Sequence, residues 1–210
     1  MLNLKTSFNV KDIFYTIQCE GEQSGRPAVF VRFAGCNGWS GYERDRNKGP
    51  FPCSRWCDTD FTHGNKMSED DLIYSVLQLI PERAHSFVVL TGGEPALQLT
   101  DSLLRRLKKE VTQVAIETNG SLRLPAEAFN CWLTVSPKTE NIVQDKASEL
   151  KLIYPTIPPE KFDGIFAMWR WLQPLHDSNW QKNTEAAVAY VKKHPRWNLS
   201  IQTQKYIGIA

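Results

Sequence analysis

Short runs of apolar residues recur along the chain, and most of them stop abruptly at glycine, proline or charged residues. Runs of about four to eight apolar residues with such boundaries are typical of buried strands in a parallel sheet. We predict seven strands on this basis. They are Ala28–Phe33, Ser86–Leu90, Gln113–Ile116, Trp132–Val135, Glu149–Ile153, Trp169–Leu172 and Trp197–Ile201.

Between several of these strands the apolar residues recur at helical spacing instead. The pattern predicts helices over Met67–Ile80, Thr100–Glu110 and Asn183–Lys193. Ser68, which is followed by acidic residues, is typical of a helix N-cap. Because strands alternate with helices, we expect an α/β fold with parallel strands and right-handed crossovers.

The length of 210 residues supports one sizeable core, so we expect a single domain over residues 1–210. The same length is short for a complete eight-unit barrel. The sequence therefore predicts a partial, open β/α barrel.

Charge and hydropathy exclude two classes of partner. The net charge is +2 and the basic residues are dispersed, so we expect neither nucleic-acid nor membrane binding. No stretch approaches the roughly 20 apolar residues of a membrane span, and the first ten residues do not resemble a signal peptide. We therefore expect a cytoplasmic protein, in which clustered cysteines usually indicate metal or redox chemistry.

Three of the five cysteines, Cys36, Cys53 and Cys57, surround a polar segment that we expect to be a loop, Ser40–Pro52. Three thiolates leave one position open on a metal or cluster, and an open position is where chemistry occurs. Two alternatives remain at this point. One is a structural zinc site with His63 as fourth ligand, and the other is a set of ordinary buried cysteines.

Polar residues follow the carboxyl ends of several predicted strands, where parallel α/β folds bind their ligands. The segments are Thr91-Gly92-Gly93-Glu94-Pro95, Glu117–Gly120, Ser136-Pro137-Lys138 and Gln173-Pro174. The two glycines would let backbone N–H groups approach an amine-and-carboxylate ligand, with help from Glu94. The alternative for the first segment is a tight turn with Pro95 at the first helical position. The alternative for Ser136-Pro137-Lys138 is a strand end with a solvated lysine.

Two polar groups lie near the start of the chain. Gln18 and Glu20 suit a hydrogen-bonding heterocycle, and Arg32 suits a carboxylate. Either charged residue could equally occupy a turn or a strand surface. Cys19 and Cys131 lack clustered partners, and we expect both to be structural.

The ordered series of motifs resembles the radical S-adenosylmethionine (SAM) enzymes, and within them the 7-carboxy-7-deazaguanine synthase family. The resemblance runs from about Phe14 to Ala210. The segments that carry it are IQCEG, VFVRFAGC, WCDTDF, VVLTGGEP, ETNG, VSPK, LQP and LSIQTQKYIGIA. The cysteine gaps of sixteen and three residues depart from the superfamily's usual spacing, and Cys19 stands where the family usually has glycine.

The resemblance implies a [4Fe–4S] cluster, SAM and Mg²⁺ as cofactors. It also implies a carbon–nitrogen lyase that starts from a 5′-deoxyadenosyl radical and contracts the ring of 6-carboxy-5,6,7,8-tetrahydropterin. The product would be 7-carboxy-7-deazaguanine, a precursor of queuosine-type bases, with loss of ammonia. A homodimer and an electron donor such as flavodoxin or ferredoxin are further implications. The rival hypotheses are a radical-activating enzyme with a protein partner and a zinc-stabilised binding module.

The family's residue roles transfer onto matching positions of this sequence. The cluster ligands would be Cys36, Cys53 and Cys57 within a cluster-binding loop at residues 36–60, and Thr59 would bind Mg²⁺. The expected SAM-binding residues are Trp56, Asp58, Gly92, Gly93, Glu94, Ser136, Pro137, Lys138, Gln173, Pro174, Leu175 and His176. The expected substrate-binding residues are Ile17, Gln18, Cys19, Glu20, Arg32, Thr91 and the terminal carboxylate of Ala210.

Overall fold

The computed structural model describes residues 7–209. These residues divide into two compact units. The first unit contains the described residues up to Thr16, with Pro27–Glu117 and Leu124–Trp132. The second contains Ile17–Arg26, Thr118–Arg123 and the described residues from Leu133 onward.

The first unit combines five strands with two helices. In chain order they are β1 (Ser7–Ile17), β2 (Pro27–Phe33), β3 (Asn65–Ser68), α1 (Glu69–Gln78), β4 (Phe87–Gly92), α2 (Asp101–Glu110) and β5 (Gln113–Thr118). The strand order is β3-β1-β2-β4-β5. β2 pairs with β4 and β4 with β5 in parallel, whereas β1 pairs with β3 in antiparallel fashion. Val31, Leu90 and Ile116 lie in register across the parallel strands and are fully buried.

Both helices of this unit begin where a side chain satisfies the first free backbone N–H groups. Ser68 Oγ accepts a hydrogen bond from Asp71 N at 3.1 Å, and Thr100 Oγ1 accepts one from Leu103 N at 3.2 Å. Such caps stabilise a helix by roughly 1 kcal/mol. The apolar stripe of each helix is buried, including Leu72 of α1 and Leu103 of α2. The predicted helix starts were therefore accurate to within two residues.

The second unit contains four parallel strands. They are β6 (Trp132–Val135), β7 (Lys146–Tyr154), β8 (Phe166–Pro174) and β9 (Asn198–Leu199), in the order β6-β7-β8-β9. The helices are α3 (Trp180–Lys193), which packs against β8, and the short α4 (Gln204–Ile207).

All seven predicted strands are present, but two further strands were missed. β1 carries its buried residues Phe8 and Val10 at alternating positions among polar ones, so it has no continuous apolar run. β3 has only four residues and none of them is buried. β7 and β8 start three residues earlier than expected, and β9 is shorter. Within residues 7–209, no helix is both long enough and apolar enough to cross a lipid bilayer.

Candidate functional site

In the first unit, the carboxyl ends of β2 and β4 place the cysteine loop (residues 36–60) beside the two glycines. Phe33 pairs with Gly92 in the parallel register. Beyond the strands, Gly93 N donates to Phe33 O at 3.2 Å, and Glu94 N donates to Gly35 O at 2.9 Å. The backbone that leads into Cys36 is therefore hydrogen-bonded to the segment that follows β4.

Gly93 is required by the closeness of these two segments. A Cβ atom on Gly93 would lie 2.1 Å from Gly35 O and 3.0 Å from the Cβ of Cys36. Both neighbours belong to the start of the cysteine loop, so any side chain would displace its backbone. Steric contact with the loop, rather than a need for positive φ, therefore selects glycine here.

The cysteine loop brings the predicted ligands together. A Cβ atom on Gly38 would lie 3.5 Å from the Sγ atoms of both Cys36 and Cys53, so these two sulfurs face the same glycine. Cys57 follows one turn after Cys53 and donates its N–H to Cys53 O at 2.8 Å. All three are free thiols. The donor set of three thiols in one loop fits an iron–sulfur cluster with one open iron.

Burial raises the pKa of the Cys36 thiol, and the charges of Glu94 and Cys57 raise it further, against hydrogen bonds from the backbone of Gly38 and Trp39. The thiol is therefore protonated until a metal displaces its proton.

The zinc alternative required His63 as a fourth ligand. His63 packs edge-on against Tyr42, with its Nε2 3.4 Å from Tyr42 Oη. Among residues 7–209, no three His, Cys, Asp or Glu side chains converge on one metal-ion position. Thiolates of an iron–sulfur cluster bind different irons, so they do not need to converge in this way.

The predicted loop Ser40–Pro52 contains one 3₁₀ turn, Glu43–Asp45, and leads into a second, Pro52–Arg55. The second turn carries Cys53, whose carbonyl also accepts the N–H of Trp56 at 3.0 Å. Beyond Cys57, Asp58 is exposed and Thr59 is half-buried.

The Glu94 side chain caps a tight turn, as the alternative interpretation of the Thr91–Pro95 segment predicts. Its side chain is completely buried and accepts the N–H of Ala96 at 2.9 Å, at the start of the turn Pro95–Leu97. Pro95 occupies the first position of that turn, as that alternative predicts.

Thr91, Arg32 and Glu117 form a polar group on the same strand ends. Arg32 and Thr91 are register partners on β2 and β4. Thr91 Oγ1 donates to Glu117 Oε2 at 3.2 Å, and the Arg32 guanidinium lies 5.7 Å from the centre of the Phe14 ring. Thr91 therefore contacts Glu117, a residue that the sequence left without a role, whereas Arg32 lies against Phe14.

In the second unit, a tight segment after β1 holds the residues predicted to bind substrate. Gln18 is buried, and its Oε1 accepts the N–H groups of Cys19 and Glu20 at 2.9 and 3.1 Å. Cys19 is also buried, and its thiol donates to Ile17 O at 3.3 Å. Ile17 itself is exposed.

Glu20 is the centre of a buried polar network. Its Oε2 accepts a hydrogen bond from the ammonium of Lys151, which is almost fully buried. Its Oε1 accepts from the side-chain amides of Gln202 and Gln204 at 2.9 and 3.1 Å. An ionised carboxylate has about four lone-pair sites, so Glu20 has room for one further donor.

Burial alone would raise the pKa of the Glu20 carboxyl. The charge of Lys151 and the hydrogen bonds from Lys151, Gln202 and Gln204 outweigh burial and lower that pKa to about 2. Glu20 is therefore an ionised acceptor at neutral pH.

Gly21 lies against a second buried carboxylate. Its φ is +67°, and a Cβ atom there would lie 2.6 Å from Glu149 Oε1. Glu149 accepts the N–H of Glu22 at 2.9 Å and the hydroxyl of Thr134 at 2.8 Å. The turn after Glu20 is thus hydrogen-bonded to Glu149 of β7, and Thr134 of β6 in turn holds that carboxylate.

The remaining predicted SAM-binding residues of this unit lie at the ends of β6 and β8. Lys138 Nζ donates to Ser136 Oγ at 2.6 Å, and Pro137 between them is buried. Gln173 is buried and accepts from Ser200 Oγ at 3.4 Å. After Pro174, Leu175 N donates to Tyr154 O, and the exposed His176 stacks on Trp180.

Sequence reasoning missed several residues of the Glu20 network, namely Lys151, Gln202 and Gln204. Lys151 lies inside an apolar run, and a lysine there needs a buried partner, which was the available signal. Gln204 Oε1 is buried and has no hydrogen-bond partner among residues 7–209. Ala210 lies outside the described residues.

Comparisons with known proteins agree on one family. A scan against models of protein families finds no match. The 7-carboxy-7-deazaguanine synthase of Caulobacter vibrioides is 43% identical over 213 aligned positions, which cover 97% of this chain and 99% of the relative. The protein of the same name from Burkholderia multivorans gives the same identity and coverage.

A solved structure shows the fold. QueE from Escherichia coli matches with a TM-score of 0.70 and 23% identity, over 93% of this chain and 94% of that one. The predicted fold class, an α/β fold of the partial, open β/α barrel type, is confirmed.

Proposed function

Because the chain belongs to the 7-carboxy-7-deazaguanine synthase family of radical SAM enzymes, we propose that it is the lyase of queuosine-precursor biosynthesis. It converts 6-carboxy-5,6,7,8-tetrahydropterin to 7-carboxy-7-deazaguanine with loss of ammonia. The single observation that carries this conclusion is the 43% identity over nearly the full length of both chains. The substrate is a small molecule, so the protein-partner and binding-module hypotheses are not retained.

Cys36, Cys53 and Cys57 would hold the [4Fe–4S] cluster, and SAM would occupy the open iron. When bound, these groups supply the radical that starts the reaction, whereas the protein supplies binding and orientation. The hydrogen bonds from Gly93 N and Glu94 N to the loop backbone support this assignment, because they fix the glycine segment beside Cys36. Thr59 would ligate Mg²⁺, together with substrate oxygens and water.

The remaining SAM contacts are proposed from the family resemblance. They are Trp56 and Asp58 of the cysteine loop, with Gly92, Gly93, Glu94, Ser136, Pro137, Lys138, Gln173, Pro174, Leu175 and His176.

The pterin would be read by Glu20, with Ile17, Gln18, Cys19, Arg32 and Thr91. The ionised Glu20 carboxylate is a fixed acceptor for an N–H group of the pyrimidinone ring, and its remaining lone pair supports that role. Lys151 and the two glutamines orient Glu20 before substrate arrives, so little reorganisation is needed on binding. Arg32 would pair with the substrate carboxylate.

We further propose a homodimer that receives electrons from a flavodoxin or ferredoxin in the cytoplasm. The five free thiols support a compartment that keeps cysteines reduced. Sedimentation of the anaerobic protein tests the dimer, and a reduction assay with each donor tests the electron source.

Anaerobic reconstitution followed by turnover tests the function directly. The expected result is a brown protein with about four irons and four sulfides per chain, which forms 7-carboxy-7-deazaguanine and 5′-deoxyadenosine from the carboxypterin and SAM. Colourless protein with one zinc and no SAM cleavage would overturn the proposal. SAM cleavage without consumption of the pterin would favour a radical-activating enzyme instead.

A further inference from the structure

One side chain of the polar insert contacts each of the segments that carry the cysteines. Arg46 lies between Cys36 and Cys53 in the sequence. Its guanidinium group reaches the turn that holds Cys53 and Cys57, and it also covers the indole ring that follows Cys36. No sequence motif singled out this residue.

The contacts to the cysteine-bearing turn are made with backbone carbonyls. Arg46 Nη1 donates to Ser54 O at 3.0 Å and to Cys57 O at 3.2 Å. One carbonyl belongs to the residue after Cys53 and the other to Cys57 itself. A cation at the carbonyl end of a helical turn is electrostatically favourable. Because the same nitrogen donates to both carbonyls, it holds them close to one another.

The other contacts orient the guanidinium. Arg46 Nε lies 2.9 and 2.8 Å from the two carboxylate oxygens of Glu43. The guanidinium carbon lies 4.8 Å from the centre of the Trp39 ring, and Trp39 is buried against Phe61. The pair with Glu43 alone would be an ordinary exposed ion pair of little energetic weight. The carbonyl and indole contacts distinguish Arg46 from such a pair.

We propose that Arg46 is the positioning residue of the cysteine loop. It holds the turn with Cys53 and Cys57 against the Trp39 segment before the cluster is inserted, and it keeps a positive charge beside Cys57 afterwards. This device explains how cysteine gaps of sixteen and three residues present three thiolates to one cluster. The inference rests on the proposed function only in so far as Cys36, Cys53 and Cys57 are the cluster ligands.

Arg44 provides a matched control in the same insert. It carries the same charge, but its guanidinium lies over the Tyr42 ring at 4.9 Å and its Nε is 3.8 Å from Asp45. Its side chain is 78% exposed, against 26% for Arg46. Replacing Arg44 therefore removes a loop cation without touching the carbonyls of the cysteine turn.

The test compares Arg46→Met, Arg46→Lys and Arg44→Met with the wild type, all purified anaerobically as full chains. Iron and sulfide content, the rate of cluster loss in air, and the midpoint potential from an EPR-monitored titration are measured. We expect Arg46→Met to lose its cluster about 10-fold faster, because removing a residue that orients metal ligands weakens metal binding by at least about that factor. Its potential should fall, because a nearby positive charge favours the more negative reduced cluster.

Arg46→Lys keeps the charge, and its ammonium could still donate to the carbonyls. It has no planar group to lie over Trp39, however, and no second nitrogen to pair with Glu43 at the same time. We therefore expect a near-normal potential with accelerated cluster loss. Arg44→Met should match the wild type in both measurements. If Arg46→Met matches Arg44→Met, the inference is wrong. Should Arg46→Met fail to fold by circular dichroism, Arg46→Lys decides alone: cluster loss at the wild-type rate overturns the inference. A wild type that takes up no iron would refute the proposed function instead.

Discussion

The cysteine loop and the Glu20 network are built by opposite means. The loop is held mainly by backbone hydrogen bonds, by close glycine contacts and by Arg46. The Glu20 network consists of side chains, and its carboxylate already accepts three hydrogen bonds. The loop thus presents its thiols on a fixed backbone, whereas most of the acceptor positions of the Glu20 carboxylate are already occupied.

The difference matches the groups that we propose for the two regions, a cluster in the loop and an organic heterocycle beside Glu20. A cluster contributes strong metal–thiolate bonds, so the protein has only to present the thiols at suitable positions. An organic heterocycle contributes weak hydrogen bonds, and these are effective only when the acceptor is fixed in advance. The following substitutions test this contrast.

The largest effect is expected from the thiols themselves. Cys53→Ala should abolish cluster assembly and turnover, because two thiolates remain for a site that needs three. Cys131→Ala is the control: burial raises the pKa of its thiol to about 11, and it lies outside the loop. Full iron content in the Cys53 variant, measured by colorimetric iron assay, would refute the ligand set.

Gly93→Ala tests the backbone support of the cysteine loop without removing a predicted cluster ligand. The added Cβ would lie 2.1 Å from Gly35 O, so the backbone leading into Cys36 must shift. We expect a loss of SAM affinity of about 100-fold, or roughly 3 kcal/mol, measured by equilibrium binding to the reconstituted protein. Gly164→Ala, where a Cβ meets nothing within 4 Å, should bind SAM normally. Equal SAM affinity of the two variants would contradict the steric requirement for glycine at position 93.

Lys151→Met tests how much stability the Glu20 carboxylate gains from its buried cationic partner. Removing the cation leaves a buried carboxylate uncompensated, which costs about 3–5 kcal/mol of unfolding free energy. Adding Glu20→Gln should recover much of that loss, because the amide carries no charge. Denaturant titration of the two single variants and the double variant measures the coupling, and strictly additive losses would show that the two residues do not act as a pair.

The smallest effect is a change in pH dependence. Because the pKa of Glu20 is lowered in the folded protein to about 2, its contribution to stability is fully present above the unfolded value near 4.5. That contribution is lost as pH falls from about 4.5 towards 2. Glu20→Gln should therefore show a shallower loss of stability in this range, followed by thermal melts at stepped pH. Parallel pH curves for variant and wild type would contradict the assignment.

Local pattern was sufficient to predict the strands that run through the sheet interior. β6 was predicted with its observed bounds because three of the four residues of Trp132–Val135 are apolar. β1 escaped because its burial alternates, and β3 because its residues are stabilised by pairing with β1 rather than by burial. Pairing between distant segments leaves no mark in the local sequence.

The same limit applies to the sites. Cysteines and glycines at strand ends are visible in sequence because few other residue types can take their place. Arg46 and Gln204 are ordinary polar residues whose contacts depend on the path of a loop and on the return of the chain to Glu20. Their importance follows from three-dimensional proximity alone, which composition and spacing do not encode.

The separation along the chain between Glu20 and its partners has a consequence for biosynthesis. The ribosome must add 131 residues after Glu20 before Lys151 exists, and 182 before Gln202 does. During most of translation the Glu20 carboxylate therefore lacks these partners and is hydrated. The segment around it cannot be buried favourably until they are present. We therefore expect the Glu20 region to be among the last parts of the nascent polypeptide to mature, after the cysteines have already emerged.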